Sequence, residues 1–369
     1  MRFKKTIKKL ASQQVADTHL PEKSPFLSPE GQPAPELDRI KRQLRRRNLR
    51  LVLAAVAICL CLVLLFQFAA KPLLNLCFYN PEQRSFSQNV AFSDFEMGMK
   101  AFTELHFPGR AFSDAEIENT GIGRYRIDLI YPGWDGKVND TLTAELVRGS
   151  LVLPYRFWQG AVTIPQRNFT RSAPDWQGQT SQEELTQELQ ESMAYLKTLP
   201  DYLLVQADLS LPEDRSMAEL AALYNYYTSD SLHLIWAGIR NTEAAGQGLP
   251  QTGFNPSGLY PIQVESEAYP AFMLATEIEQ NDGKADGAMY ETHFQTLLRY
   301  LTDHPDFLKA LGGDIDRAAG YEAILQYLQK NGIDTYGVTV IGSPGAVLNF
   351  CEKEGVEKIQ ITELTFRTN

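Results

Sequence analysis

The chain has 369 residues, 44% of them hydrophobic and 22% charged, which is enough for two ordinary domains and unlike a disordered or fibrous protein. Its net charge of −10 is unevenly divided: residues 1–50 carry thirteen Lys or Arg against five Asp or Glu, and the rest carry 22 against 40. A body this acidic would repel phosphate, which excludes direct nucleic-acid binding by anything beyond the basic head.

Residues 1–16 spell a short helix with Phe3, Ile7 and Leu10 on one face and lysines opposite. Alone in water such a helix is marginal, so it is expected to order only against a partner or a membrane surface. Five prolines between 21 and 35 make the next stretch an extended linker. Residues 36–50 are predicted to be helical, with Leu37, Ile40 and Leu44 as apolar positions. Arg45, Arg46, Arg47 and Arg50 are placed to anchor on anionic lipid. Residues 1–50 thus read as a basic cytoplasmic segment with a Pro-rich linker.

Leu51–Ala70 contains one polar side chain, Gln67, and no charge. As a helix it would be about 30 Å long, the thickness of a bilayer's hydrocarbon core. The fifty residues before it are far longer than the head of a cleaved signal peptide, so the run reads as a retained transmembrane anchor. Four arginines precede it and only Lys71 follows closely, which places the N-terminus in the cytoplasm and everything after residue 71 outside. Cys59 and Cys61 fall inside the span, Cys77 at its outer end and Cys351 in a predicted helix. Whether Cys77 and Cys351 pair is left open. No Cys or His spacing fits a metal site, and no cofactor is expected.

Beyond the span, residues 92–106 read as a helix, and Ile117–Trp134 and Ala144–Phe157 as strand-rich, giving a first module over 71–158. A polar connector over 159–180 follows. The second module, 181–369, opens with a helix over 182–198, capped by Ser181 and Glu184, and a strand over 202–211. Ser216 and Glu219 cap the next helix. Leu232–Arg240 is apolar on both faces, as in the middle of a sheet, and 241–266 reads as a loop. Helices are predicted over 286–303 and 317–330, the latter ended by Asn331-Gly332. A strand over 336–341, a helix from Ser343-Pro344 to Gly355 and a strand over 356–366 complete the chain. The expected fold class is therefore α+β. One N-terminal transmembrane helix precedes two extracytoplasmic modules, the second a β-sheet covered by helices.

Tyr327, Asn331, Gly332, Tyr336, Gly337, Val340 and Gly342 fall in a pattern that resembles the C-terminal domain of the sigma factor regulator family. Trp236 and Thr252-Gly253-Phe254 fit the same pattern, and the basic run, the span and Phe78–Pro81 resemble the family's N-terminal module. The resemblance covers residues from about 45 to 369. It implies a membrane-bound anti-sigma factor of Gram-positive bacteria, partnered by an extracytoplasmic-function sigma factor. The motif residues themselves have structural roles. With only fifty residues before the span, sigma binding would fall to short segments that fold on binding, namely the Phe3/Ile7/Leu10 face and Leu37, Ile40 and Leu44.

Nothing assembles a catalytic constellation. The five histidines are scattered, with His106 at a helix end, His233 on a strand, and His293 and His304 near helix surfaces. Gly342-Ser343-Pro344 resembles a nucleophile elbow, yet the proline lacks the N–H that an oxyanion hole needs. The leading expectation is a non-enzymatic regulator whose extracytoplasmic modules couple an envelope signal to sequestration of a cytoplasmic sigma factor, with a second membrane subunit or an envelope ligand as further partners. The alternative is a membrane-anchored module that binds envelope polymer or protein and has no sigma partner.

Overall fold

A computed structural model describes residues 35–66, 68, 78–84, 93–132, 139–158, 169, 182–228, 232–242, 251–258, 268–312 and 316–366. The expected helix over 1–16 with Phe3, Ile7 and Leu10, the proline linker, the Ser181 cap and Cys77 lie outside those residues. Two compact units divide the chain, Met1–Pro72 and Leu73–Asn369.

In the first unit, helix α1 (Pro35–Leu65) runs 31 residues without interruption. The basic helix and the apolar run are one element because neither Gly nor Pro falls between Pro35 and Pro72, and Pro35 suits a first helical position. Its stretch Arg39–Leu65 is long and apolar enough to cross a membrane. Ile40 and Leu44, together with Arg45, Arg46, Arg47 and Arg50, are exposed.

The second unit holds two sheets. Helix α2 (Asp94–His106) starts with a Ser93–Glu96 capping box. An antiparallel meander follows: β1 (Asp114–Gly121), β2 (Arg124–Pro132), β3 (Asn139–Val147) and β4 (Ser150–Val152). The glycine at 123 and the pair Arg148-Gly149 turn the chain with positive φ. The short helix α3 (Tyr155–Trp158) and helix α4 (Gln182–Thr198) lead to the larger sheet.

That sheet has β5 (Leu203–Ser216), β6 (Leu232–Ile239), β7 (Thr252–Phe254), β8 (Asp334–Gly342) and β9 (Lys358–Phe366) in the order β7-β6-β8-β5-β9. Every neighbouring pair is antiparallel. Strand β5 outruns its expected end because it resumes pairing at Arg215 after a register shift beyond Ser210; Pro212, which has no N–H to donate, lies within that shift. The expected loop 241–266 contains β7, which pairs Ala237 with Phe254 and Gly238 with Gly253. Three residues are too few to show a period, so this edge strand was unreadable.

Helix α5 (Met217–Tyr227) carries the Ser216–Glu219 capping box, and α10 (Pro344–Glu354) starts at Ser343 and stops at Gly355, with φ of 67°. Helices α7 (Gly287–Asp303) and α9 (Asp316–Asn331) lie close to the expected bounds, with Gly332 at φ 87°. Three short helices, α3, α6 (Leu274–Gln280) and α8 (Pro305–Ala310), were not foreseen; α3 takes the end of the stretch Ala144–Phe157 that was expected to be strand-rich, beyond Pro154, which cannot donate to a ladder.

Phe294, Leu297, Leu298 and Leu301 of α7 are fully buried, each stabilising the fold by roughly 1.5–3 kcal/mol. They share one core cluster with Phe95, Met99 and Phe102 of α2, the hydrophobic faces of both sheets, and Ile359. Helix α2 packs on α7 and β7, so the first helix beyond residue 73 is built into the larger sheet's core.

Candidate functional site

Strands β6 and β8 bring several motif residues together. Trp236 and Tyr336 form a cluster with Phe169, whose ring lies 6.0 Å from Trp236 and 5.5 Å, edge-on, from Tyr336. Gly337 permits this closure, since a Cβ there would stand 2.5 Å from the Phe169 ring. Gly253 is tighter still: a Cβ would fall 2.2 Å from the Ala237 carbonyl oxygen and 2.3 Å from the Trp236 indole. Gln251 Nε2 donates to the Tyr336 hydroxyl, and Trp236 Nε1 donates to the Glu104 carbonyl at 3.0 Å.

Other motif residues lie apart from this cluster. Phe254 packs against Tyr290, His293 and Phe294. Asn331 ends α9, its Nδ2 donating to Tyr327 O at 3.1 Å, and Gly342 closes β8. These are packing and turn contacts.

A buried polar seam runs from the Trp236 cluster to α2. Lys100 and Glu104 are one turn apart on α2. Glu104 Oε1 accepts from His293 Nε2 at 2.9 Å and from the Asn255 N–H at 3.2 Å. His293 Nδ1 faces the Ala271 carbonyl at 2.8 Å. Both ring nitrogens thus meet oxygen atoms that can accept. Burial pushes the Glu104 carboxyl up, but His293, Lys100 and the Asn255 N–H together outweigh it and hold the group below the usual carboxylate range. Burial pushes Lys100 down, against the pull of Glu104.

Between these side chains and Arg110 is a cavity of about 20 Å³, space for a single water. Further along, His106 faces Gln251 O through Nδ1 at 3.2 Å and Tyr321 OH through Nε2 at 2.6 Å. Because a carbonyl only accepts, Nδ1 carries the proton and Nε2 accepts from the tyrosine.

Residues 196–363 match the family model described as sigma factor regulator C-terminal. That stretch is therefore similar to the C-terminal domain of the sigma factor regulator family. No curated protein and no solved structure matches the chain.

The regulator domain contains every motif residue named above and three members of the seam, His293, Asn255 and Gln251. Glu104, Lys100 and His106 come from α2, outside the matched residues. The sequence reading put His293 near a helix surface; it is instead 1% exposed, because α2 packs over that side of α7. Glu104 and His293 are 189 residues apart, beyond any local pattern. The local trace they leave in the sequence is the i, i+4 spacing of Lys100 and Glu104 on α2. Ser343, the serine of the elbow-like turn, accepts from the Ala346 N–H at 3.3 Å and serves as an N-cap. Among the described residues no group of three His, Cys, Asp or Glu is placed to hold a metal, and Cys351 is a buried free thiol.

Proposed function

We propose that this protein is a single-pass membrane regulator of an extracytoplasmic-function sigma factor, with residues 1–50 in the cytoplasm and residues from 71 onward outside. One observation carries the reading: a regulator domain shares its chain with an apolar helix whose leading end bears Arg45, Arg46, Arg47 and Arg50. The positive end of such a helix stays in the cytoplasm. The outer unit receives an envelope signal and the inner segment, through Leu37, Ile40, Leu44 and the residues before them, holds the sigma factor from polymerase. The work is done by binding alone, with no reaction catalysed.

The test has two parts. Protease added to intact cells should digest the regulator domain and spare an N-terminal epitope. The full chain, solubilised from membranes, should retain a sigma factor, and losing residues 1–50 should release it and raise transcription from that factor's promoters. A protected regulator domain sinks the topology; unchanged transcription sinks the sequestration.

A further inference from the structure

The largest cavity among the described pockets is unrelated to the polar seam. It has a volume of about 450 Å³, within the range of roughly 300–1,000 Å³ typical of small-ligand sites. Four parts of the chain wall it: residues 78–83, the first described segment after the apolar helix; Asp94 at the start of α2; the β3–β4 turn at Arg148-Gly149; and residues 303–309, from the end of α7 into α8.

Its chemistry is two-signed. Arg148 and Lys309 supply cations and Asp303 and Asp306 carboxylates, all four of them exposed, and the buried Asp94 adds a third carboxylate. No ion pair joins these four to one another or to any other described residue. Charges of both signs therefore border one cavity without an ion pair between them. Part of the wall is fixed in place: Asp303 accepts from the Tyr269 hydroxyl at 3.0 Å, and the His304 ring stacks on Tyr300 with centroids 4.0 Å apart. Phe78, Tyr79 and Phe307 add aromatic surface between the charged groups. A solute with a charge of each sign at its two ends and a small apolar body between them satisfies all of this at once.

We propose that this cavity binds a short zwitterionic peptide, its ammonium toward Asp303 and Asp306 and its carboxylate held by Arg148 and Lys309. Such a ligand would rest against Phe78 and Tyr79, where the chain enters the outer unit, so occupancy bears on the segment that follows the span. The binding stands by itself; its part as the envelope signal rests on the regulatory reading above.

The experiment is calorimetric titration of the full chain in detergent with trialanine, its N-acetylated form and its C-terminal amide. Two variants accompany it. Arg148 has φ of 52° and is followed by Gly149 at 82°, a turn that Asn-Gly fits better than Arg-Gly, so Arg148→Asn removes the guanidinium while preserving the fold. Asp306 is exposed, and Asp306→Asn removes one carboxylate charge. Trialanine should bind the unaltered protein, and each blocked peptide and each variant should bind about tenfold more weakly, the loss of one charge-assisted hydrogen bond. The melting temperature of both variants should not fall. Absence of trialanine binding overturns the proposal, as does equal binding of the blocked peptides or by the variants. No sigma factor enters the titration, so it stands or fails separately from the regulatory reading.

Discussion

Glu104 is a carboxylate that burial alone would drive toward neutrality, and His293, the charge of Lys100 and the Asn255 N–H outweigh that push. A group whose folded value lies below its unfolded one stabilises the fold fully above the unfolded value, about 4.3 for glutamate. That contribution is lost as pH falls through the depressed folded value. Thermal melts should therefore show an acid-side decline below about pH 4.3 that Glu104→Gln flattens. At neutral pH the same substitution leaves His293 facing an amide and should destabilise by about 3–5 kcal/mol, read from denaturant midpoints. Equal midpoints for the two proteins would show that the pair holds nothing. Local chemistry such as Asn331-Gly332 was legible in the sequence because its cause lies within a few residues. The Glu104–His293 pair was hidden because only the finished fold brings its partners together.

Helix ends obey short-range rules, which is why Ser216–Glu219, Ser343-Pro344 and Gly355 marked their helices correctly. The unforeseen elements, β7, α3, α6 and α8, are three to seven residues long, below the length at which periodicity speaks. Strand β7 owes its place to what it touches: glycine at 253 lets the strand lie under the Trp236 indole. For α10, the cap makes a prediction that also bears on chemistry. Ser343→Ala should lower stability by about 1 kcal/mol, measured by urea denaturation, and leave regulation of the sigma factor intact. Full stability with lost regulation would mean that the hydroxyl acts on something other than the Ala346 N–H.

At the scale of the whole molecule, an alternation of helices and strands was enough to foresee a helix-covered sheet, but not its all-antiparallel order, which pairing across β5 and β8 decides. The place of α2 was equally unreadable, because the apolar residues of a helix do not name the element they pack on. Phe95, Met99 and Phe102 lie in the same core as α7, so a fragment of residues 181–369 would bare that core. It should lack a cooperative urea transition, whereas residues 73–369 should show one. A shared midpoint for the two pieces would mean that α2 contributes little. Helix α1 imposes a different constraint, because it has no joint from Pro35 to Leu65. It acts as a stiff shaft: a pull of one residue's rise, about 1.5 Å, or a turn of about 100° at its outer end reappears undiminished at Ile40 and Leu44. Whatever grips those two side chains is therefore geared mechanically to events at the other end of the rod.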